Sequence, residues 1–596
     1  MRALALVILL SYGATGALTE SFDYIIVGAG TSGLVVANRL SEDPSVTVAV
    51  IEPGTDQRNN PNVTDPNNFQ QAFNTPIDWQ YATTKQPGAG DRAIDLHQGK
   101  AWGGTSTING MTYIRGDAAQ FDAWEHLGNP GWNWAALLPY YKKSENYTAP
   151  SQTQLDAGAT YEARYHGTAG HVKTGYVPAL RNGSSAPAVL AAWADGVPGL
   201  ELPHNPDLNG GDVRGYSMGP QTLDAELGLR WDSSRAYYLP VEGRSNLKIV
   251  RGTAKRITWA EGGKRGRTSS CGSPLVANGV EFVTEGGEAR VLKARREVVV
   301  SAGAVRTPLV LEGSGVGNPR ILESLGIETK INLPGVGENL IEQPNHLLGY
   351  SGDMEPSPSA YHTFVTAADL FGSDIGTVEA LTRASLPKWA QAAADASGPG
   401  AVNATALEKL LRIQHDLIFV HNVTAAEILT AVVPQLLASN FWILLPFSRG
   451  SVHLGSADAI DEPVIDPRFF LADFDLAATV ATAKMAQQYW RSETLRDAVV
   501  APIIPGPDVL PDDATDEQWE SYVRETLNAN SHVLGTASMM SRELGGVVDP
   551  ELRVYGTANV RVVDASVLPT QISGHLTATL YAVAERAAEI IKRTSW

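Results

Sequence analysis

The stretch from Tyr24 to Glu52 constrains the fold of this chain of 596 residues more than any other. It runs Tyr-Ile-Ile-Val, then Gly28-Ala-Gly30-Thr31-Ser32-Gly33, then a helical pattern, then Thr47-Val-Ala-Val-Ile-Glu52. That order is strand, glycine turn, helix, strand, acid. Gly28 permits the tight turn, Gly30 lets the backbone approach a pyrophosphate, and Gly33 lets the helix lie close to the sheet. The helix begins at Thr31 and Ser32, and its N-terminus offers free N–H groups to phosphate oxygens. Glu52 sits at the end of the second strand, where a carboxylate binds ribose hydroxyls. An acid there, rather than an arginine, fits an unphosphorylated ribose, so the pattern implies NAD or FAD rather than NADP.

The length exceeds what one hydrophobic core organises, so two or more domains are expected. Apolar residues at 43% and charged residues at 18% describe a folded globular protein. A net charge of −18 argues against a nucleic-acid partner, which needs clustered Lys and Arg. Residues 1–19 read as a secretory signal. Arg2 precedes the apolar run Ala3 to Leu10, and small residues Gly13, Ala14, Gly16 and Ala17 suit cleavage. That run is too short to span a bilayer and no later stretch is long enough, so a secreted, extracellular protein without a membrane partner is expected. N-x-Ser/Thr sequons at Asn62, Asn146, Asn182, Asn403 and Asn422 then become candidate glycan sites. Cys271 is the only cysteine, so no intramolecular disulfide forms. It lies in the polar segment Glu261 to Asn278, read as a surface loop with an inert thiol. No Cys/His cluster has metal-ligand spacing, so no structural metal is expected.

Residues 55–68, rich in Asn, Pro, Asp and Thr, read as a loop. Residues 99–117 form a second glycine-rich segment, and 150–245 read as loop-rich. Strands are expected at 246–250, 279–283 and 451–454, with a buried strand at 297–303 running into a helix. Helices are expected at 406–414, 475–491 and 516–527. The end reads as a strand at 560–564 and a long helix from about Leu576. The expected fold class is α/β with an α+β second domain. A Rossmann-like domain is assembled from separated segments (20–60, 96–125, 246–345 and 549–596). A substrate-binding domain with an antiparallel sheet and helices takes 61–95, 126–245 and 346–548.

Four motifs together make the chain resemble the glucose-methanol-choline oxidoreductases, a family of FAD enzymes. They are the fingerprint with Glu52; Gly103-Gly-Thr-Ser-Thr-Ile-Asn109-Gly-Met; Gly303-Ala-Val-Arg-Thr-Pro308-Leu-Val-Leu-Glu-Gly-Ser314-Gly-Val-Gly317; and His532 and His575 within Asn530-Ser-His-Val-Leu-Gly and Asp564-Ala-Ser-Val-Leu-Pro-Thr-Gln-Ile-Ser-Gly-His. They span nearly the whole chain in the family's order. Trp102 to Met111 and Tyr581-Ala-Val-Ala-Glu-Arg-Ala587 are most similar to the fungal FAD-dependent glucose and oligosaccharide dehydrogenase branch, and less closely to glucose oxidase.

The resemblance implies FAD as cofactor, with Gly104, Thr105, Asn109, Gly110 and Met111 along the flavin. It also implies a backbone contact to adenine near Val250, and Asp564 and Ala565 near the ribityl chain and pyrophosphate. No histidine lies between Gly99 and Gly116, so the flavin is expected to be non-covalent. Alcohol oxidation needs a base near neutrality, and the cofactor accepts the hydride. His532 is assigned as that base and His575 as its partner; because a coupled pair titrates jointly, the reverse assignment stays open.

The sugar pocket departs from its relatives. Asn528 stands where they carry an arginine, while Asn530 is kept. Asn440 stands for a glutamate before Phe441 and Trp442, and Phe69 stands for a tyrosine. Losing two charged groups removes hydrogen bonds of about 1.5–3 kcal/mol each, which loosens selectivity for glucose. The expected activity is oxidation of the anomeric hydroxyl of glucose or glucose-terminated oligosaccharides. A quinone-type acceptor is expected, and a monomer is favoured. Aryl-alcohol oxidation, oxygen as acceptor, a flavin-binding lyase and a carbohydrate-binding protein are the alternatives.

Overall fold

The structure, a computed structural model, describes residues 20–178, 186–195, 197, 200–260, 274–355 and 360–594. The expected signal segment, the Asn182 sequon and Cys271 lie outside the described residues.

The first sheet is built where the fingerprint predicts. Ser21–Val27 and Val48–Glu52 are apolar, β-branched runs whose side chains are almost all buried, the pattern of strands covered on both faces. The strand order is Leu247–Arg251, Val48–Glu52, Ser21–Val27, Ala289–Val300, Ala277–Val283 and Thr253–Trp259, with Val560–Val562 also pairing Ala289–Val300. The strands from Leu247–Arg251 to Ala289–Val300, and Val560–Val562, pair in parallel. The last two pairs are antiparallel. The 12-residue strand Ala289–Val300 makes this possible: its first half joins the antiparallel arm and its last three residues join Val560–Val562. One sheet therefore draws strands from three separated stretches of chain. Helix Thr31–Leu40 packs on helix Leu576–Arg593, which also meets Trp134–Ser144. A largely buried Arg39–Glu585 ion pair at 2.6 Å ties the first two together.

The second sheet is antiparallel, in the order Val499–Ile504, Pro344–Gly352, Leu436–Ile443, Thr424–Val433, Tyr361–Thr366 and Gly215–Met218, with Asn528–Ala529 also on Pro344–Gly352. Its register sets the chemistry. Glu427 faces Trp442, Leu429 faces Asn440, and Ile428 faces Phe441. Side chains alternate along a strand, so Glu427, Asn440 and Trp442 share one face and Phe441 lies on the other. Helix Asp473–Trp490 covers that other face, where the Trp490 indole N–H donates to Ser439 Oγ at 2.9 Å.

Two expectations need correction. Residues 55–68 are not a plain loop, because Pro61–Thr64 and Pro66–Ala72 form short helical turns. Asn60 and Asp65 each cap the following backbone and each is followed by proline at the first helical position, a strong start signal. In the middle, the 22-residue helix Ile375–Ala396 and strands Tyr361–Thr366, Thr424–Val433, Leu436–Ile443, Val499–Ile504 and Asn528–Ala529 accompany the predicted helices.

Candidate active site

Gly28 and Gly33 of the fingerprint are required by close contacts. Gly28 has φ +105°, and a Cβ there would lie 2.3 Å from the Ser301 carbonyl oxygen. A Cβ on Gly33 would lie 2.0 Å from the Gly28 oxygen. The second glycine segment touches the first, since a Cβ on Gly104 would reach Gly30 Cα at 2.7 Å. A Cβ on Gly30 would find no protein atom nearer than 3.8 Å. The groove between the two segments is thus kept open beside the start of the helix, with Thr31 and Thr105 half-buried and Ser32 buried around it.

Glu52 is buried and accepts from Ala29 N at 2.9 Å and Gly54 N at 2.7 Å. Burial pushes its carboxyl up to about 7 against those bonds. Each oxygen keeps a further lone pair. A cavity of about 360 Å³ opens beside it, lined by Gly54, Gln57, Lys100, Arg251 and Gly252 among others. Val250 pairs with Ile51 on the adjoining strand. The cavity and the open glycine groove fit the ADP half of a dinucleotide.

On the far side, Asn109 is engaged by protein. Its Oδ1 accepts from Arg230 Nη1 at 2.7 Å and from Met111 N at 3.2 Å. Gly110 is exposed, with no atom within 4 Å of a Cβ. Met111 is buried with φ +67°, a left-handed conformation that costs a non-glycine residue on the order of 1–3 kcal/mol and clusters at functional sites. The expectation for Asp564 narrows. Its buried carboxylate accepts from Gly303 N, Ser566 N and the Thr307 and Ser566 hydroxyls. The side chain therefore braces the 303–307 turn, so a contact from this segment to a bound cofactor would come from the backbone or from half-buried Ala565.

His532 and His575 meet at right angles with ring centroids 5.3 Å apart. His532 follows Ser531, another left-handed residue at φ +61°. His575 is the N-cap of helix Leu576–Arg593, and its N–H donates to Ile114 O at 2.9 Å. Gln343 Nε2 donates to Leu444 O, which turns Gln343 Oε1 toward His532 Nδ1 at 2.8 Å. Asn530 Nδ2 lies 3.0 Å from the same nitrogen. A proton on Nδ1 directed at the closer Gln343 Oε1 leaves Nε2 with a lone pair. Burial, reinforced by the neighbouring His575, holds this imidazole down at about 3. This corrects the expectation of a base near neutrality: the ring is unprotonated at neutral pH but a weaker base than expected. Glu342 lies behind it and accepts from His532 N at 3.2 Å. Burial pushes Glu342 up to about 8, and its second oxygen has no protein partner.

Sequence reasoning missed the groups that hold His575. Glu427 Oε1 lies 3.2 Å from His575 Nε2 and 2.8 Å from His362 Nδ1. Burial raises the Glu427 carboxyl, yet the facing His575 and His362 outweigh it and leave it at about 2. Burial in turn lowers His362. A lone carboxylate inside the apolar run Thr424-Ala-Ala-Glu-Ile-Leu was the available signal.

The other residues named for the substrate divide. Trp442 packs edge-on to His575 at 6.0 Å and its indole N–H has no protein partner. Asn440 is half-buried on the same sheet face. Phe441 is corrected: it is fully buried and stacks on His346 in the core behind the sheet, as strand alternation requires. Asn528 is exposed and donates to Thr526 O. Asn530 accepts from Asn345 Nδ2 at 2.9 Å and donates to Gln343 Oε1 at 3.0 Å, so it orders the His532 support. Phe69 packs edge-on to Phe73, which stacks on His97; His97 N donates to Ser531 Oγ. Among the sequons, Asn403 and Asn422 are exposed, and Asn62 and Asn146 are half-buried.

Residues 22–345 and residues 446–584 each match the GMC oxidoreductase family. The chain belongs to that family. It is 63% identical to a "glucose oxidase-like protein fsoC" of Humicola fuscoatra, over 99% of this chain and 98% of that one. It is 34% identical to a glucose oxidase of Penicillium chrysogenum, over 96% and 92%. Among solved structures, an FAD-dependent oxidoreductase from Chaetomium thermophilum superposes with a TM-score of 0.85 at 29% identity, covering 96% of this chain and 99% of that one. A fungal aryl-alcohol oxidase superposes with a TM-score of 0.80 at 26% identity, covering 96% and 99%. The protein is a flavoprotein oxidoreductase with FAD as its cofactor, and the groove and cavity above fit it. Gly28, Gly30, Gly33 and Glu52 would hold the ADP half, and the 104–111 segment would face the flavin.

Proposed function

We propose that this protein is a secreted, FAD-dependent sugar dehydrogenase. It oxidises the anomeric hydroxyl of glucose or of a glucose-terminated oligosaccharide to the lactone and passes electrons to a quinone-type acceptor. The observation that carries the reading is the 2.8 Å contact of Gln343 Oε1 with His532 Nδ1, shorter than the 3.0 Å contact from Asn530 Nδ2. With Nδ1–H tied to Gln343, the free Nε2 lone pair takes the hydroxyl proton. His575, held by Glu427, binds the same hydroxyl from a perpendicular plane. When bound, the flavin supplies a hydride acceptor for the C1 hydrogen. One proton and one hydride leave the alcohol, so the reaction balances as a two-electron oxidation.

A polyhydroxylated substrate is supported by two buried atoms on the His575 wall. Trp442 Nε1 is a donor and Glu427 Oε2 an acceptor, and neither has a protein partner. An unpaired buried polar group costs about 1–3 kcal/mol, which sugar hydroxyls relieve and a single alcohol group does not. Exposed Asn528 in place of a charged residue supports room for a second sugar.

The second reading is an aryl-alcohol oxidase, favoured by the Phe69, Phe73 and His97 stack that runs to Ser531. Steady-state rates for glucose, a glucosyl disaccharide and anisyl alcohol, each with a quinone and with oxygen, separate the readings. Sugar oxidation with quinone supports the first. Anisyl alcohol turnover without sugar turnover replaces it, and hydrogen peroxide at the full rate makes the enzyme an oxidase.

A further inference from the structure

We propose that His362, Glu427 and His575 form a divalent transition-metal site, taking Zn²⁺ or Cu²⁺, that overlaps the catalytic pocket. His362 Nδ1, one Glu427 oxygen and His575 Nε2 all lie within 4.8 Å of one another, and no other group of three or more such side chains is found among the described residues. Two imidazoles and a carboxylate are the ligand set of an open zinc site that keeps one position for an exchangeable ligand. A tetrahedral ion with bonds of about 2.0–2.2 Å needs donor atoms roughly 3.3–3.5 Å apart. The observed separations of 2.8 and 3.2 Å from Glu427 Oε1 reach this with shifts of a few tenths of an ångström. The two imidazole nitrogens, within 4.8 Å of each other, close by up to about 1.3 Å through ring rotation. The proton on each ligating nitrogen moves to the other ring nitrogen or to solvent, as metal binding ordinarily requires.

The three ligands come from strands Tyr361–Thr366 and Thr424–Val433 and from the cap of helix Leu576–Arg593. They lie 65 and 148 positions apart in the chain, so no local spacing announces them. The expectation of no structural metal concerned close spacing, whereas this site forms only after the second sheet packs against the helix. The second Glu427 oxygen has no protein partner and is available to a bound ion. The site is reversible and inhibitory, because an ion there captures the His575 face turned toward Glu427 and fixes the ring. That kinetic consequence rests on the sugar-oxidation reading; the binding itself does not.

The test titrates FAD-loaded protein with Zn²⁺ by calorimetry, in the wild type, His362→Gln and Cys271→Ser. One Zn²⁺ per chain is expected in the wild type and Cys271→Ser. Affinity in His362→Gln falls by at least about 10–100-fold, the loss ordinarily seen on removing even an outer partner of a ligand. Saturating Zn²⁺ slows anaerobic flavin reduction by sugar. Electron paramagnetic resonance of wild-type protein with one equivalent of Cu²⁺ shows coupling to two imidazole nitrogens, which keeps the test decisive if His362→Gln does not fold. No saturable binding, unchanged affinity in a folded His362→Gln, loss of the site in Cys271→Ser, or a Cu²⁺ spectrum without imidazole nitrogen overturns the proposal. A flavin that sugar never bleaches before metal is added would instead sink the sugar reading and leave the calorimetry and the spectrum to judge the metal site.

Discussion

Glu427→Gln keeps the side-chain shape and removes the charge between His362 and His575. It also turns the second carboxylate oxygen into an NH2 donor, while the amide oxygen can still face both rings. The structure allows its effect to be worked in two ways. A hydrogen bond to a charged group contributes about 1.5–3 kcal/mol and a neutral one about 0.5–1.5. Two imidazole bonds to Glu427 Oε1 therefore lose about 2–3 kcal/mol together. Independently, lowering the carboxyl from 4.5 to about 2 at 1.36 kcal/mol per pH unit corresponds to roughly 3 kcal/mol. Only the His575 bond bears on the reaction, so a loss of about 1–1.5 kcal/mol slows flavin reduction by roughly 5–10-fold. Stopped-flow anaerobic reduction by saturating sugar measures this.

The sign with pH is also set. A depressed carboxyl gives stability that is present above its unfolded value of 4.5 and is lost as pH falls toward about 2. The thermal midpoint of the variant should lie below wild type at pH 7, with the gap narrowing at pH 3. Wild-type reduction rates, or a gap that widens on acidification, would refute the role given to Glu427.

Other outcomes follow from the same geometry. Gly104→Ala places a Cβ 2.7 Å from Gly30 Cα at a left-handed position, so the protein should purify with a markedly lower flavin-to-protein absorbance ratio. Burial raises Glu342 to about 8, so its ionisation costs stability progressively as pH rises from 4.5 through about 8; Glu342→Gln should flatten that loss in thermal midpoints read across the range. Asn528→Arg introduces a charged donor worth about 1.5–3 kcal/mol, so KM for glucose should fall by roughly 10–100-fold relative to a glucosyl disaccharide.

What was legible in the sequence was local or carried by motif. Strand, Gly28 turn, helix and Glu52 lie in one continuous stretch, and Gly28 and Gly33 have a steric reason visible in the contacts, while Gly30 leaves open space. His532 and His575 were legible because each sits in its own motif. Their supports were not. Gln343 reaches His532 and Asn345 reaches Asn530 where Pro344–Gly352 pairs with Asn528–Ala529, and Glu427 reaches His575 through the register of Thr424–Val433 against Leu436–Ile443. Register over such distances depends on packing that no window of sequence contains. Phe441 shows the cost: beside Trp442 in sequence, it lies one pleat away and faces the core. Asp564 matched the motif, yet its carboxylate is spent on the protein's own donors.

His532→Ala offers the most direct measurement. Mixed anaerobically with glucose or a glucosyl disaccharide, the wild-type flavin should bleach, and the variant should bleach about 10²–10⁴-fold more slowly, as expected on removing a general base. Bleaching at the wild-type rate would remove His532 as the base and with it the reading built on its free Nε2.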